Sequence, residues 1–278
     1  MAKSTFALFF TPLLCIMLHA QKPEKVKGNR NVIIQETLIN PFHTVSIDED
    51  FEIEIIYNKI PSVEIEADEN LHEFIEFEVR NDILSFNKTK RITSKKKLNI
   101  IVKYNDMLHT IETNENSEIK SLTTMELNNA TLITYGSSKA DLTINTNQLI
   151  LEGKERSKVK LDLISEHTNI TLVDNSKLDG LINSPELHLN LSQRANANLN
   201  GNGENLIIKA NNYSQFIGKD FTVKTCEVIC DISSDATIDV TESIMIEASG
   251  TSSIYLYNNP KITINRFTDT TKLQKKVK

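Results

Sequence analysis

Three carboxylates are spaced so that they could act together. Asp141 and Asp179 hold the same position in a repeating segment, and Asp162 lies two residues beyond that position in the segment between them. On neighbouring strands such a pair could cleave a glycosidic bond, one group protonating the leaving oxygen and the other activating water. Two strand spacings put Asp141 and Asp179 about 10 Å apart, near the wide end of the geometry used by inverting glycosidases. Lys160 stands between them, and no Arg or His accompanies them. The pattern therefore reads as alternating charge on an exposed strand face, and no catalytic residue is assigned.

The other candidates for chemistry are weaker. The 6 His are scattered, with His19 near the start of the chain, and none forms a His-Glu-x-x-His pair. A recurrent Ser has no Gly-x-Ser-x-Gly elbow around it, and a nucleophile needs one activated Ser beside a base rather than a ladder of them. Cys226 and Cys230 lie four residues apart, which on one strand is roughly 13 Å, beyond disulfide reach. They read as buried small hydrophobes. Gly201-Asn-Gly203 lacks a strand-to-helix context for phosphate binding, and calcium-binding nonapeptides and regular Thr-x-Thr arrays are absent. No cofactor or metal site is expected, and the binding residues stay unassigned.

The positions of these residues are set by a repeat. Ser138-Lys-Ala, Ser157-Lys-Val, Ser176-Lys-Leu, Ala195-Asn-Ala, Ser214-Gln-Phe, Ser234-Asp-Ala and Ser252-Ser-Ile begin similar segments at spacings of 19, 19, 19, 19, 20 and 18 residues. Each segment carries a second apolar set, such as Leu149/Leu151, Ile170/Leu172 and Leu206/Ile208, so two or three short strands per turn are expected. A unit of this size cannot bury its apolar face alone and must stack on its neighbours. Seven coils at about 4.8 Å each make a body roughly 34 Å tall. Seven of the 8 Gly lie at or beyond residue 136. Gly136, Gly180, Gly218 and Gly250 are read as corner positions needing unusual backbone angles or close approach.

Upstream, period-two alternation runs from Asn40 to Tyr104 through Phe51/Ile53/Ile55/Tyr57, Val63/Ile65, Phe77/Val79, Ile83 to Phe86 and Leu98 to Tyr104, predicting strands joined by short turns. Asp68 to Glu76 is the one stretch with helical character. The first residues differ: Lys3, an apolar run from Phe6 to Leu18 and Ala20 before a polar segment read as a secretory signal peptide cleaved after Ala20. Cys15 follows Leu13 and Leu14, which argues against a lipoprotein signal. The expected organisation is a signal peptide over 1–20, a linker over 21–39, a β-rich part over 40–135, solenoid coils over 136–265 and a basic, frayed tail over 266–278.

Composition agrees with an elongated β protein. The hydrophobic content is 39%, Trp is absent, and Asn, Ser and Thr are abundant, which suits elements with one wet face. A formal net charge of −6 leaves no global basic footprint for nucleic acid.

Asn40-Pro-Phe-His-Thr-Val-Ser-Ile, Phe51-Glu-Ile-Glu-Ile, Val63-Glu-Ile-Glu-Ala-Asp-Glu-Asn-Leu71, Asp82-Ile-Leu-Ser-Phe86, Gly136-Ser-Ser-Lys-Ala and Gly250-Thr-Ser-Ser-Ile-Tyr-Leu-Tyr-Asn-Asn-Pro260 follow one another in an order that resembles the head-GIN domain family, described as putative autotransporter adhesins. The resemblance spans roughly residues 40 to 265. It implies a right-handed parallel β-helix in an exported protein. The chain departs from the family pattern where Arg156-Ser157, Asn175-Ser176 and Tyr213-Ser214 replace Gly-rich corners, which puts the corner geometry in question.

The expectation is thus an all-β protein, a parallel β-solenoid with coils of about 19 residues preceded by a β-rich region. It is exported to the periplasm, outer surface or medium, has no integral membrane segment after cleavage, and serves as a non-catalytic, adhesin-like module for a glycan or an envelope or surface protein. A polysaccharide-active enzyme and a purely structural envelope protein are the alternatives. The outer wall, rich in Asn, Thr, Lys and Glu and carrying Tyr255 and Tyr257, could hold a glycan or a partner protein by many weak contacts, while simple solvation accounts for most single residues on it.

Overall fold

A computed structural model describes residues 24–278. The signal peptide read over 1–20, with its cleavage point, Cys15 and His19, lies outside the described residues.

The repeat becomes a parallel ladder. Lys139–Gly153 pairs with Lys158–Leu172 in continuous register, so Ala140 meets Val159, Leu142 meets Leu161 and Leu151 meets Ile170. The next rungs, Lys177–Asn183 and Glu186–Leu191, then Asn196–Asn202 and Asn205–Ala210, keep the 19-residue offset, and bulges near Asn198 and Gly218 shift it where Gln215–Cys230 and Asp235–Ala248 join the stack. The result is an all-β solenoid of about 9 turns. Alternation places Ala140, Leu142 and Ile144 inside, and its phase slips near Asn147 where the strand bends, so that Leu149 and Leu151 point inward again. Stacking the same positions coil upon coil yields one continuous apolar interior, which no single coil could form.

Parallel stacking begins well before residue 136. Thr44–Ile47 pairs with Thr110–Thr113, and Glu52–Tyr57 with Glu118–Ser121. The partners Thr44 and Thr110 are separated by an excursion, which hides the coil period in this part of the sequence. The excursion is mixed: Ile83–Lys88 and Leu98–Tyr104 stack in parallel on Thr44–Ile47 and Glu52–Tyr57, and the pairings within it and with Val32–Leu38 are antiparallel. Ser62–Asp68 lies between Val32–Leu38 and Leu98–Tyr104, and Ile75–Arg80 forms a hairpin with Ile83–Lys88. The hairpin turns at Asn81 and Asp82, both with positive φ (50° and 60°), the conformation that two-residue β-hairpins require. The helical stretch is a single short 3-10 segment, Glu69–Phe74, which buries Leu71 beneath the first coil.

Two terminal expectations need correction. The stretch 21–39, read as a linker, contains the strands Lys25–Lys27 and Val32–Leu38, paired with Arg91–Ser94 and Ser62–Asp68. Their partners lie far along the chain, and most side chains of Val32–Leu38 are exposed, so little alternation betrays the strand. The basic tail is not frayed. Lys272–Lys275 adds a parallel strand to Ser253–Tyr257, Lys276 sits over the Tyr255 ring at 4.8 Å, and Lys278 reaches the buried Asp239 carboxylate at 2.5 Å.

Candidate functional site on the solenoid wall

Each coil closes through a four-residue turn whose last residue points inward. The repeat Ser residues form this inner column, and all are buried. Their hydroxyls are used locally: Ser138 donates to the Tyr135 carbonyl at 2.6 Å, Ser176 to Val173 at 2.7 Å and Ser252 to Ser249 at 2.8 Å. Ser117 does the same to Asn114 at 2.7 Å, and Thr271 to Thr268 at 2.6 Å, extending the column at both ends. The Asn114, Tyr135 and Val173 carbonyls also accept the backbone N–H of the column residue at 3.1–3.3 Å, so each hydroxyl is a second donor to a carbonyl that already closes the turn. The Ser ladder is therefore part of the interior.

The turns also explain the corner residues. Two positions before the column residue, φ is positive in coil after coil: 54° at Glu115, 65° at Gly136, 61° at Glu155, 63° at Asp174, 52° at Asn212 and 73° at Gly250. The left-handed corner is thus kept where Gly is replaced, and Arg156-Ser157, Asn175-Ser176 and Tyr213-Ser214 sit in the same type of turn as Gly136 and Gly250. Gly180 and Gly218 are not corners. They lie within strands, where a Cβ would approach Leu199 to 3.0 Å and the Phe216 ring to 2.5 Å. Gly201 and Gly203 leave room for the Ile182 and Ser184 carbonyls of the preceding coil.

The three carboxylates reach the surface as exposed side chains on one outer wall. Asp141, Lys160 and Asp179 occupy a single column, extended by Glu54 and Lys120, so charge alternates in sign along successive coils. Asp162 belongs to the neighbouring column, opposite Thr143 and Leu181. The lysine between Asp141 and Asp179 occupies the place where a bond to be cleaved would have to sit. Beside this column, Lys139, Lys158 and Lys177 stack, Lys139 pairing with Glu118 at 2.9 Å.

Above the charge ladder the wall turns neutral. Asn196, Asn198, Asn200 and Asn202 alternate outward along one strand, with Ala197 and Leu199 facing inward. Three of these amides are fixed by bonds across coils: Asn196 donates to Gln215 at 2.8 Å, Asn198 to Asp179 at 3.2 Å and Asn202 to Asn183 at 3.1 Å. The sequence shows an Asn-rich wall; which amides meet across coils depends on register, and Gly201, at φ 114°, separates Asn202 from the other three. Tyr255 and Tyr257 are half-buried rather than exposed, because the added strand Lys272–Lys275 flanks them.

Cys226 and Cys230 both point inward and are free and buried. Burial pushes the Cys226 thiol far up and the Cys230 thiol up to about 12, the latter helped by the charges of Asp231 and Asp235. His43 and His109, distant in sequence, stack at 5.2 Å, with Asp82 3.8 Å from His43. Among the described residues no three His, Cys, Asp or Glu side chains gather as a metal ion would require. No helix among them is long and apolar enough to cross a membrane.

Fold and wall together define a parallel β-solenoid whose distinctive polar side chains are presented outward in ranks. A family model described as "Putative auto-transporter adhesin, head GIN domain" matches it twice, over residues 41–162 and 149–260, and the chain belongs to that family. One model fits twice, in overlapping windows, because the coils are related by translation. Solved structures share the fold at low identity. A "putative adhesin" from Parabacteroides merdae is 15% identical with a TM-score of 0.61, covering 91% of this chain and 98% of its own. A "Putative lipid binding protein" from Parabacteroides distasonis is 14% identical with a TM-score of 0.58, covering 91% and 98%, and a "putative adhesin" from the same organism is 14% identical with a TM-score of 0.57, covering 90% and 100%. No curated protein matches the chain.

Proposed function

We propose that the protein is an exported, non-catalytic interaction module of the cell envelope or outer surface, which holds a glycan or a surface protein along the outer wall of its solenoid. The observation that carries this reading is the Asn196–Asn202 row. Four amides repeat along an extended strand at about 6.6 Å, and three of them are tethered across coils. Amides held in this way present donors and acceptors with little entropy left to lose on binding. A polymer with a regular repeat would gain many modest contacts from them.

Family membership and the leader-like first twenty residues support export. The non-catalytic reading rests on Lys160, which separates Asp141 from Asp179 and leaves the carboxylates on an open wall without a converging acid and base.

The test is an array of envelope and host glycans probed with the mature chain, residues 21 to 278, with every spot analysed afterwards for cleavage. Saturable binding without cleavage, weakened when Asn198 and Asn200 are replaced by Ala, is the expected result. Cleavage would favour a polysaccharide-active enzyme instead. Binding to neither glycans nor purified envelope proteins would favour a purely structural role.

A further inference from the structure

The chain carries a formal charge of −6, yet residues 88–97 hold Lys88, Lys90, Arg91, Lys95, Lys96 and Lys97 without one acid. The fold wraps this run around a cleft of about 660 Å³ between the end of Ile83–Lys88, the strand Arg91–Ser94 and the turn at Glu49 and Asp50. Half of the cations are already engaged. Lys88 pairs with Asp50 and lies 4.0 Å from the Phe51 ring centre, Lys90 pairs with Glu24 at 3.0 Å, and Lys97 lies 3.5 Å from Glu66. Arg91 and Lys95 line the cleft with no ion-pair partner among the described residues. The same cleft is lined by the partly buried Ile92 and Leu98 and by Thr93 and Ser94.

The cationic loop is held in place from behind. Asp68, fully buried, accepts the backbone N–H groups of Lys96 at 3.1 Å, Lys97 at 3.2 Å and Arg30 at 3.1 Å. Gly28 leaves room for this carboxylate, since a Cβ there would fall 1.8 Å from Asp68 Oδ2. Clustered cations repel one another, and a loop that merely faced water would relax and spread them. Here a buried carboxylate fixes the backbone that carries them.

We infer that this cleft binds an anionic saccharide unit, its carboxylate or phosphate held by Arg91 and Lys95 and its apolar ring face laid against Ile92 and Leu98. Arg presents a planar fork of donors matched to either oxyanion, and Lys adds a point charge. The apolar lining distinguishes this site from a purely electrostatic patch, and its concavity suits an inserted unit better than a flat bilayer surface. The inference deepens the surface-interaction reading and rests on it, but it names a different end of the molecule from the Asn row.

The test uses the mature chain and four probes: oligogalacturonate for the carboxylate, a hexose 6-phosphate for the phosphate, phosphatidylglycerol vesicles for a lipid surface, and neutral dextran oligomers as control. Binding is followed by calorimetry for wild type, Arg91→Ala/Lys95→Ala, and Lys209→Ala/Lys261→Ala as a charge-matched control on wall strands away from both the cleft and the Asn row. The expected result is binding of one or both anionic sugars, at least about tenfold weaker in the cleft variant and unchanged in the wall variant. Circular dichroism checks that both variants fold. Equal loss in the two variants would mean unspecific attraction and overturn the site. So would anionic binding that survives in the cleft variant, binding to phosphatidylglycerol vesicles alone, or no anionic binding at all. If the wild type still binds neutral glycans on the array while refusing both anions, the site falls and the broader reading stands; if it binds nothing, both fall.

Discussion

The Ser138 hydroxyl donates to the Tyr135 carbonyl at 2.6 Å, closing a coil turn from the inside, while the Thr113 hydroxyl one coil away donates to Ser138 at 3.0 Å. Both hydroxyls are buried, so each depends on the other. Ser138→Ala should therefore cost about 1–3 kcal/mol, because it leaves the buried Thr113 hydroxyl without its acceptor, while the Tyr135 carbonyl keeps the Ser138 backbone N–H at 3.2 Å. At Ala195 the column lacks its hydroxyl although the backbone closes the same way, Ala195 N–H donating to the Ser192 carbonyl at 3.2 Å. Ala195→Ser should be neutral or stabilising by up to about 1 kcal/mol. Urea midpoints measure both, and a Ser138→Ala protein as stable as wild type would refute the structural role of the ladder.

The left-handed corners differ in how closely they are packed. At Gly136 a Cβ would lie 2.7 Å from the backbone N and O of Glu115, whereas at Gly250 the nearest atom is Ile232 N at 3.3 Å. An Ala in the left-handed region costs about 1–2 kcal/mol by itself, partly offset by the smaller entropy of the unfolded chain. Gly250→Ala should cost no more than about 1 kcal/mol, and Gly136→Ala at least about 2, since backbone must also move. Equal thermal shifts in the two variants would contradict the close approach of adjacent turns.

How far the sequence discloses this architecture depends on how local each signal is. The 19-residue period from Ser138 to Ser252 is legible because every coil there contains only itself. The coil at Thr44–Ile47 and Glu52–Tyr57 is not, because the excursion carrying Ser62–Asp68 and the hairpin intervenes before Thr110 returns to the stack. The columns Asp141/Lys160/Asp179 and Lys139/Lys158/Lys177 follow directly from the repeat. The stacking of His43 on His109 and the capture of Lys96 and Lys97 by Asp68 do not, because they join segments that share no period. The tail at Lys272–Lys275 was hidden by its charge: it is a strand held by backbone pairing and by Asp239, with little apolar alternation.

Asp68 should make the protein sensitive to acid. Burial opposes ionisation of its carboxyl, but the amides of Lys96, Lys97 and Arg30 outweigh that and hold the group below the usual carboxylate range. A folded-state pKa depressed below the unfolded value of about 3.9 contributes stability that is fully present above that value and fades as pH falls through the folded one. Asp68→Asn should therefore unfold at lower urea than wild type at pH 7, and the gap should narrow below pH of about 4. A gap that is constant with pH would show that the ionised form is not what the amides hold.

Thiol accessibility tests the direction of one strand face. Cys226 and Cys230 face the interior, opposite Leu206 and Ala210 on one coil and Ile244 and Ala248 on the next. A thiol held protonated by burial reacts slowly because the thiolate is the nucleophile. Protein comprising residues 21–278 should show essentially no labelling by a thiol reagent at pH 8 when native, and both groups in denaturant. Rapid labelling of either Cys in the native state would mean that this strand is turned the other way.

Tyr104 offers a test in the alkaline range. Its ring is buried and packs edge-on against Tyr57 at 5.8 Å, yet its hydroxyl finds no partner in the interior. Removing an unpaired buried hydroxyl removes a desolvation cost, so Tyr104→Phe should leave stability at pH 7 unchanged or raise it by about 1 kcal/mol. Tyr104→Ala should instead lose about 3–5 kcal/mol by opening a cavity. Burial first, then the negative charge of Glu126, pushes the Tyr104 phenol up to about 12. A phenol that keeps its proton longer in the folded state contributes stability that is complete below the unfolded pKa of about 10 and is lost as pH rises through the folded value. Wild type should therefore lose stability between pH of about 10 and 12 faster than Tyr104→Phe does. Parallel alkaline denaturation curves for the two proteins would show that the phenol ionises as readily in the folded protein as in the unfolded chain, so that solvent reaches it.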